Sequence, residues 1–226
     1  MNPIIFVPSP RDLPEFLEAT AKINCDKLWL KYHPQEEAYV IAREWFLTNK
    51  QYTHLVILPD DLIITQDDFD TLCEDAKKFD VVSGWCRNTM RLVENYTGVP
   101  ETEETADSNI SITTLPADPP YTSTYESYHL TSIKEIKEKI SYGITFVKVK
   151  FSGFPLQFIS RKIVEQVPFR SSVGCCMDSC FALDLHSRGI NQYANLKVRT
   201  THIQTKIAEL KVNREKPDMI FEKRRG

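Results

Sequence analysis

No stretch of the 226 residues approaches the roughly 18 consecutive apolar residues that a membrane-spanning helix needs. The first residues also lack the basic and apolar segments of a secretory leader. The expectation is a cytoplasmic protein with no transmembrane segment. A large excess of either charge is missing as well. A formal net charge of −3 and a pI near 6.0 give no general attraction to nucleic acid or to an anionic membrane, and neither is expected as a partner. Only the last residues, Glu222-Lys223-Arg224-Arg225-Gly226, are locally basic. The six cysteines, Cys25, Cys73, Cys86, Cys175, Cys176 and Cys180, contain no CxxC pair, so reduced, mostly buried thiols are expected before a zinc site or a disulfide framework.

What is present is enough apolar material for one substantial core: 42% of the chain is hydrophobic and 11% aromatic, in a length suited to one domain. The run His54-Leu55-Val56-Ile57-Leu58 reads as a strand buried on both faces. It ends at Pro59, which cannot donate to a ladder, and at two adjacent acids, Asp60 and Asp61. Before it, Ile4-Ile5-Phe6-Val7 predicts a first strand, 13–23 a helix, Leu28-Trp29-Leu30 a second strand, and the face Ala38, Ile41, Ala42, Trp45, Phe46 a helix with Pro34 in its first turn. After it, Thr65 is suited to cap a helix carrying Phe69, Leu72, Cys73, Ala76 and Phe79, and residues 81–85 predict a further parallel strand. Regular alternation of this kind predicts an α/β, doubly wound, mostly parallel central sheet flanked by helices.

The alternation breaks after Arg87. Residues 95–130, rich in Thr, Ser, Pro and Glu, are expected to be a mobile insertion near the acceptor side of the site. A helix over 133–140, a half-exposed strand over 144–150 and an apolar segment over 153–159 follow, with Ser160 as the next cap. Asp178 opens a helix stopped by Gly189, and a last strand delivers His202. The expected organisation is one domain over 1–204 and a C-terminal helix with a basic tail over 205–226.

The order of these features resembles the glycosyltransferases of the GT-A fold, in particular the family-2-like group: a nucleotide-binding βαβ half, Leu58-Pro59-Asp60-Asp61-Leu62, Gly153-Phe154-Pro155, Met177-Asp178 opening a helix, and a terminal His202. The resemblance covers most of residues 4–202. It implies a single Rossmann-like domain that transfers a sugar from a UDP- or GDP-linked donor to a carbohydrate, lipid-linked or protein acceptor with inversion, using Mn²⁺ or Mg²⁺. It further implies that Asp61 and His202 hold the metal, that Asp60 meets the ribose or groups around the metal, and that Asp178 is the base. Two departures stand out: Pro59 occupies the place of the family's first acid, and Met177 that of a glutamate.

Each residue also has a plainer reading. Adjacent acids after a strand are often solvated turn residues, Asp178 is a good helix cap, and a histidine after a strand is often a surface group. Arg11, Tyr32 and Arg43 are candidates for phosphate or base contacts, since Arg forks onto phosphate and Tyr stacks on a base. Arg43 is equally a solvated helix residue. A catalytically silent sugar-nucleotide binder of the same fold is the alternative function. A nucleotidyltransferase would need a glycine-rich, lysine-containing loop after the first strand, where Pro8-Ser9-Pro10-Arg11 stands instead.

Overall fold

The computed structural model describes residues 1–9, 12–86, 111–114, 129–130, 132–172, 176–203 and 217–224. The chain opens with β1 (Pro3–Ser9), α1 (Pro14–Ala21), β2 (Asp26–Lys31), α2 (Gln35–Thr48) and β3 (His54–Ile57), the alternation that its hydrophobic pattern predicts. β1 lies between β2 and β3, parallel to both. In β1, Ile4 and Phe6 join one core cluster while Ile5 and Val7 join the other. An unbroken aliphatic run is required because both faces are covered. α2 lies on the first face and α1 on the second.

β3 leads through the turn containing Asp60 and Asp61 to β4 (Leu62–Ile63), then α3 (Gln66–Asp75) and β5 (Val81–Trp85). Thr65 caps α3 as expected: its hydroxyl accepts from the Asp68 N–H at 3.1 Å while Asp68 accepts from the Thr65 N–H at 3.0 Å, a reciprocal capping box. The chain continues through β6 (Ile112–Thr114), β7 (His129–Leu130), α4 (Ile133–Ser141), β8 (Phe146–Ser152), β9 (Gln157–Ser160), α5 (Arg161–Gln166), α6 (Met177–Ser187), β10 (Gln192–Arg199), β11 (Thr201–His202) and β12 (Asp218–Glu222).

The sheet is mixed, not mostly parallel. Its order is β12-β2-β1-β3-β9-β5-β10-β8-β6-β7, and β9 sits antiparallel between β3 and β5. β5 is therefore not a direct neighbour of the first three parallel strands, although it runs in their direction. The register explains the preference: Val56 and Val82 flank Phe158 on one face, and Leu55 and Val81 flank Ile159 on the other. An apolar strand buried on both sides completes the core that the parallel half leaves open.

Several local expectations are corrected. Pro34 is the cap position of α2, and the helix starts at Gln35. Ser160 stands at the cap of α5, yet its hydroxyl donates to Asp80 at 2.8 Å instead of capping. The cap of α6 is Cys176, so Asp178 lies in the first turn. Gly189, at φ 68°, does stop α6: Ile190 N–H reaches Leu185 O and Gly189 N–H reaches His186 O, the paired bonds of a Schellman ending. In the C-terminal segment, residues 218–222 form a strand where a helix was expected. β12 pairs antiparallel with β2, and Glu222 meets the buried ammonium of Lys27 at 3.2 Å and the indole N–H of Trp29 at 3.1 Å. Most of the predicted 95–130 insertion lies outside the described residues; β6 and β7 belong to it.

Candidate functional site

β3 ends at Ile57, and the Leu58 N–H still reaches Phe6 O at 3.0 Å, which fixes the direction in which the chain leaves the sheet. The next residues turn: Leu62 N–H bonds to Pro59 O at 3.2 Å. Strand alternation therefore does not set the directions of the two acids. Asp60 is buried at 3% exposure and Asp61 is half-buried.

β11 returns to this turn from the far end of the chain. It pairs antiparallel with β4, His202 opposite Leu62, and Ile203 N–H reaches Asp61 O at 2.7 Å. The small ladder brings His202 Nε2 to 3.4 Å from Asp61 Oδ2. Among the described residues, His202 Nδ1 is buried without a hydrogen-bond partner. Two donors each about 2.1 Å from one ion stand about 3.0–3.4 Å apart at octahedral to tetrahedral angles, so the spacing of this pair is one that two ligands of a single divalent cation could have. Among the described residues, no group of three His, Cys, Asp or Glu is placed to hold a metal.

Asp178 reaches the same place from the first turn of α6, where negative charge is favoured by the exposed N–H groups. Its Oδ1 accepts from the Ser179 N–H and the Cys176 thiol, each at 2.7 Å. Its Oδ2 faces Gly153, where a β-carbon would lie 3.5 Å away. Gly153 is held by its N–H to Ser111 O at 2.9 Å, and Ser111 N–H in turn reaches Cys86 O at the end of β5. Next to it, Phe154 has φ 57° and Leu156 φ 56°, an unusual backbone for bulky residues that tends to be kept at functional sites.

Asp61, His202 and Asp178 line one cavity of about 230 Å³. A second, of about 180 Å³, is lined by Pro8, His33 and Asp60 and shares Gln35, Tyr39, Pro59 and Asp61 with the first. No Lys or Arg is among the described lining residues of either. The Cys86 thiol also lines the first cavity, but burial pushes its pKa up to about 11, which keeps it protonated and a poor nucleophile.

The remaining candidates are elsewhere. Arg43 spans from α2 to α5, its Nε donating to Val164 O at 2.9 Å and an Nη to Glu165 O at 3.1 Å; it is a packing residue and lines neither cavity. Tyr32, at the end of β2 with φ 61°, donates its hydroxyl to Asp12 at 2.8 Å, and neither cavity includes it. Arg11 lies outside the described residues. Sequence reading missed Gln35 and Tyr39. Their spacing of four on an amphipathic helix was the available signal, hidden because Tyr39 falls inside the apolar face.

No protein-family model and no curated protein matches the chain. Among solved structures, the crystal structure of A197 from STIV is similar with a TM-score of 0.54 and 15% identity, over 93% of this chain and 98% of that one. The structure of CMP:2-keto-3-deoxy-manno-octonic acid synthetase complexed with CTP gives a TM-score of 0.45 at 11% identity, over 92% of this chain and 93% of that one. The first likeness speaks for a shared α/β fold alone, and the second is too slight to carry an argument. No helix among the described residues is long and apolar enough to cross a membrane.

Proposed function

We propose that the protein is a GT-A-type glycosyltransferase that moves a sugar from a nucleotide diphosphate donor to an acceptor hydroxyl, with a divalent cation held by Asp61 and His202. The observation that carries this reading is the convergence of Asp61, His202 and Asp178, from three distant parts of the chain, on one cavity. Asp178 is the base. Its Oδ1 is occupied by two donors, so Oδ2, facing Gly153, takes the acceptor proton. The acceptor oxygen bonds to the anomeric carbon as the carbon–oxygen bond to the diphosphate breaks, and the electron pair leaves with the diphosphate. Both cavities are lined by carboxylates and, among the described residues, by no Lys or Arg, so the described residues supply little charge to offset a diphosphate. Bound Mn²⁺ or Mg²⁺ would supply that charge as a Lewis acid. Asp60 is assigned to the ribose side of the donor, a reading that its burial at the wall of the second cavity supports.

A catalytically silent binder of nucleotide sugars is the second reading. It is favoured by the lack of a third metal-ligating residue beside Asp61 and His202 among those described. A panel of UDP- and GDP-sugars, assayed by thermal shift with and without Mn²⁺ and then for transfer, separates the two. Mn²⁺-dependent stabilisation with transfer supports the enzyme, since a ligand selective for the folded state raises its stability by mass action. Binding without transfer supports the silent module, and no response to any donor removes both.

A further inference from the structure

Gln35 and Tyr39 stand one helical turn apart on α2, and both line both cavities. The Tyr39 ring is fixed from several sides: Phe6 and Phe169 meet it edge-on at 5.0 and 5.5 Å between centroids, and Phe154 stacks at 5.6 Å. Such a ring has little freedom, so the side chain keeps one place in the wall that the two cavities share. Burial, and after it the charges of Asp178, Asp61 and Asp60, push the phenol well above its usual range. It therefore stays protonated at any working pH. Gln35 acts in the opposite direction, as an amide donating to the phenol oxygen does, and a protonated phenol has one proton of its own to give to an acceptor.

The chemistry of that acceptor follows from the surroundings. A phosphate oxygen only accepts hydrogen bonds, and beside these carboxylates it is held through the cation of Asp61 and His202, not through the phenol. A sugar hydroxyl accepts from the phenol and donates to a carboxylate at the same time. Position agrees with this. In the glycosyltransfer reading the nucleotide occupies the cavity with Asp60, the acceptor approaches Asp178 in the other, and the transferred sugar lies at their junction, where the lining residues are common to both.

We propose that Tyr39 is a positioning and specificity residue for the transferred sugar, its hydroxyl donating to one ring hydroxyl at the junction of the two cavities. The inference rests on the glycosyltransfer reading. Tyr39→Phe tests it, because phenylalanine retains the ring packing and removes only the donor. Binding of UDP, UDP-glucose, GDP and GDP-mannose is measured with Mn²⁺ for wild type and variant. The expected result is unchanged nucleoside diphosphate binding and a loss of about three- to tenfold in the extra affinity that the sugar confers, the scale of one hydrogen bond. A series of donors lacking one sugar hydroxyl each, tested on the wild type, gives a second measurement: one analogue loses the same factor, and it loses nothing further in Tyr39→Phe. An unchanged sugar increment in the variant, equal weakening of diphosphate and sugar donor, or a series in which no single hydroxyl matters overturns this inference alone. A wild-type protein that responds to no nucleotide sugar overturns the glycosyltransfer reading and this inference with it.

Discussion

His202 Nε2 stands 3.4 Å from Asp61 Oδ2 although the two residues are far apart in the sequence, and the contact is held by backbone pairing, His202 opposite Leu62 and Ile203 N–H on Asp61 O. The pair is positioned by a ladder and not by its own attraction. Removing either side chain should therefore leave the turn in place.

Asp61→Ala and His202→Ala are each expected to reduce the Mn²⁺-dependent thermal shift produced by the cognate nucleotide, with unfolding midpoints without ligand close to wild type. An identical Mn²⁺ response in wild type and Asp61→Ala would remove the metal assignment.

Asp178→Asn should abolish transfer and spare donor binding. Loss of a general base lowers rate by about 10²- to 10⁴-fold. The asparagine oxygen can still accept from the Ser179 N–H, which here bonds to Asp178 Oδ1 at 2.7 Å, so the helix start is retained. Near-normal turnover with a true donor and acceptor would leave Asp178 a structural residue.

Gly153→Ala places a methyl group 3.5 Å from Asp178 Oδ2, an ordinary contact that needs no backbone movement. The variant is expected to fold with wild-type stability, to bind donor normally and to transfer more slowly because Oδ2 is partly covered. Kinetics showing a raised KM for acceptor, or a lowered kcat, with an unchanged donor Kd would meet this expectation. An unchanged acceptor dependence would place the reactive oxygen elsewhere.

Arg161→Lys is expected to destabilise the fold by about 2–4 kcal/mol without touching the site. Its guanidinium lies 4.2 Å over the Phe46 ring and donates to Tyr52 O and Asn49 O at 2.9 Å and to Phe46 O at 2.8 Å. A lysine has neither the fork nor the reach to serve those carbonyls together. Urea unfolding measures the loss, and a midpoint within error of wild type would show that water replaces the bonds without penalty.

Stability should also fall on mild acidification. Burial holds His54 below its usual pKa near 6.5, against the opposing pull of a hydrogen bond to the Ala76 backbone. The unfolded chain therefore binds more protons in the window just below 6.5, and stability present above that window is lost as pH falls through it. Unfolding midpoints measured from about pH 7 to about pH 5 should decline in wild type and decline less in His54→Gln. Equal slopes would assign the effect to other groups.

The β1-α1-β2-α2-β3 succession, the Thr65 capping box and the Gly189 stop were legible in the sequence because each depends on neighbours within a few residues: an aliphatic run, a hydroxyl three residues before an acid, a glycine at positive φ. Asp60 and Asp61 were located at the end of a strand on the same local grounds. Tyr39 was not singled out, since an aromatic inside an apolar stripe looks like core, and it is core by its packing while also lining both cavities.

The arrangement of those elements needed contacts between remote residues. Nothing local shows that β9 enters antiparallel between β3 and β5, that residues 218–222 extend the sheet beside β2, or that Arg161 and not Arg43 gathers the carbonyls at the end of α2. Each follows from which backbone groups and apolar faces remain unsatisfied once the parallel half has formed. By itself the sequence determined an α/β chain with acids at a strand end. The tertiary structure decided that Asp61, His202 and Asp178 share one cavity, because only the separate β4–β11 ladder and the packing of α6 close the distances between them.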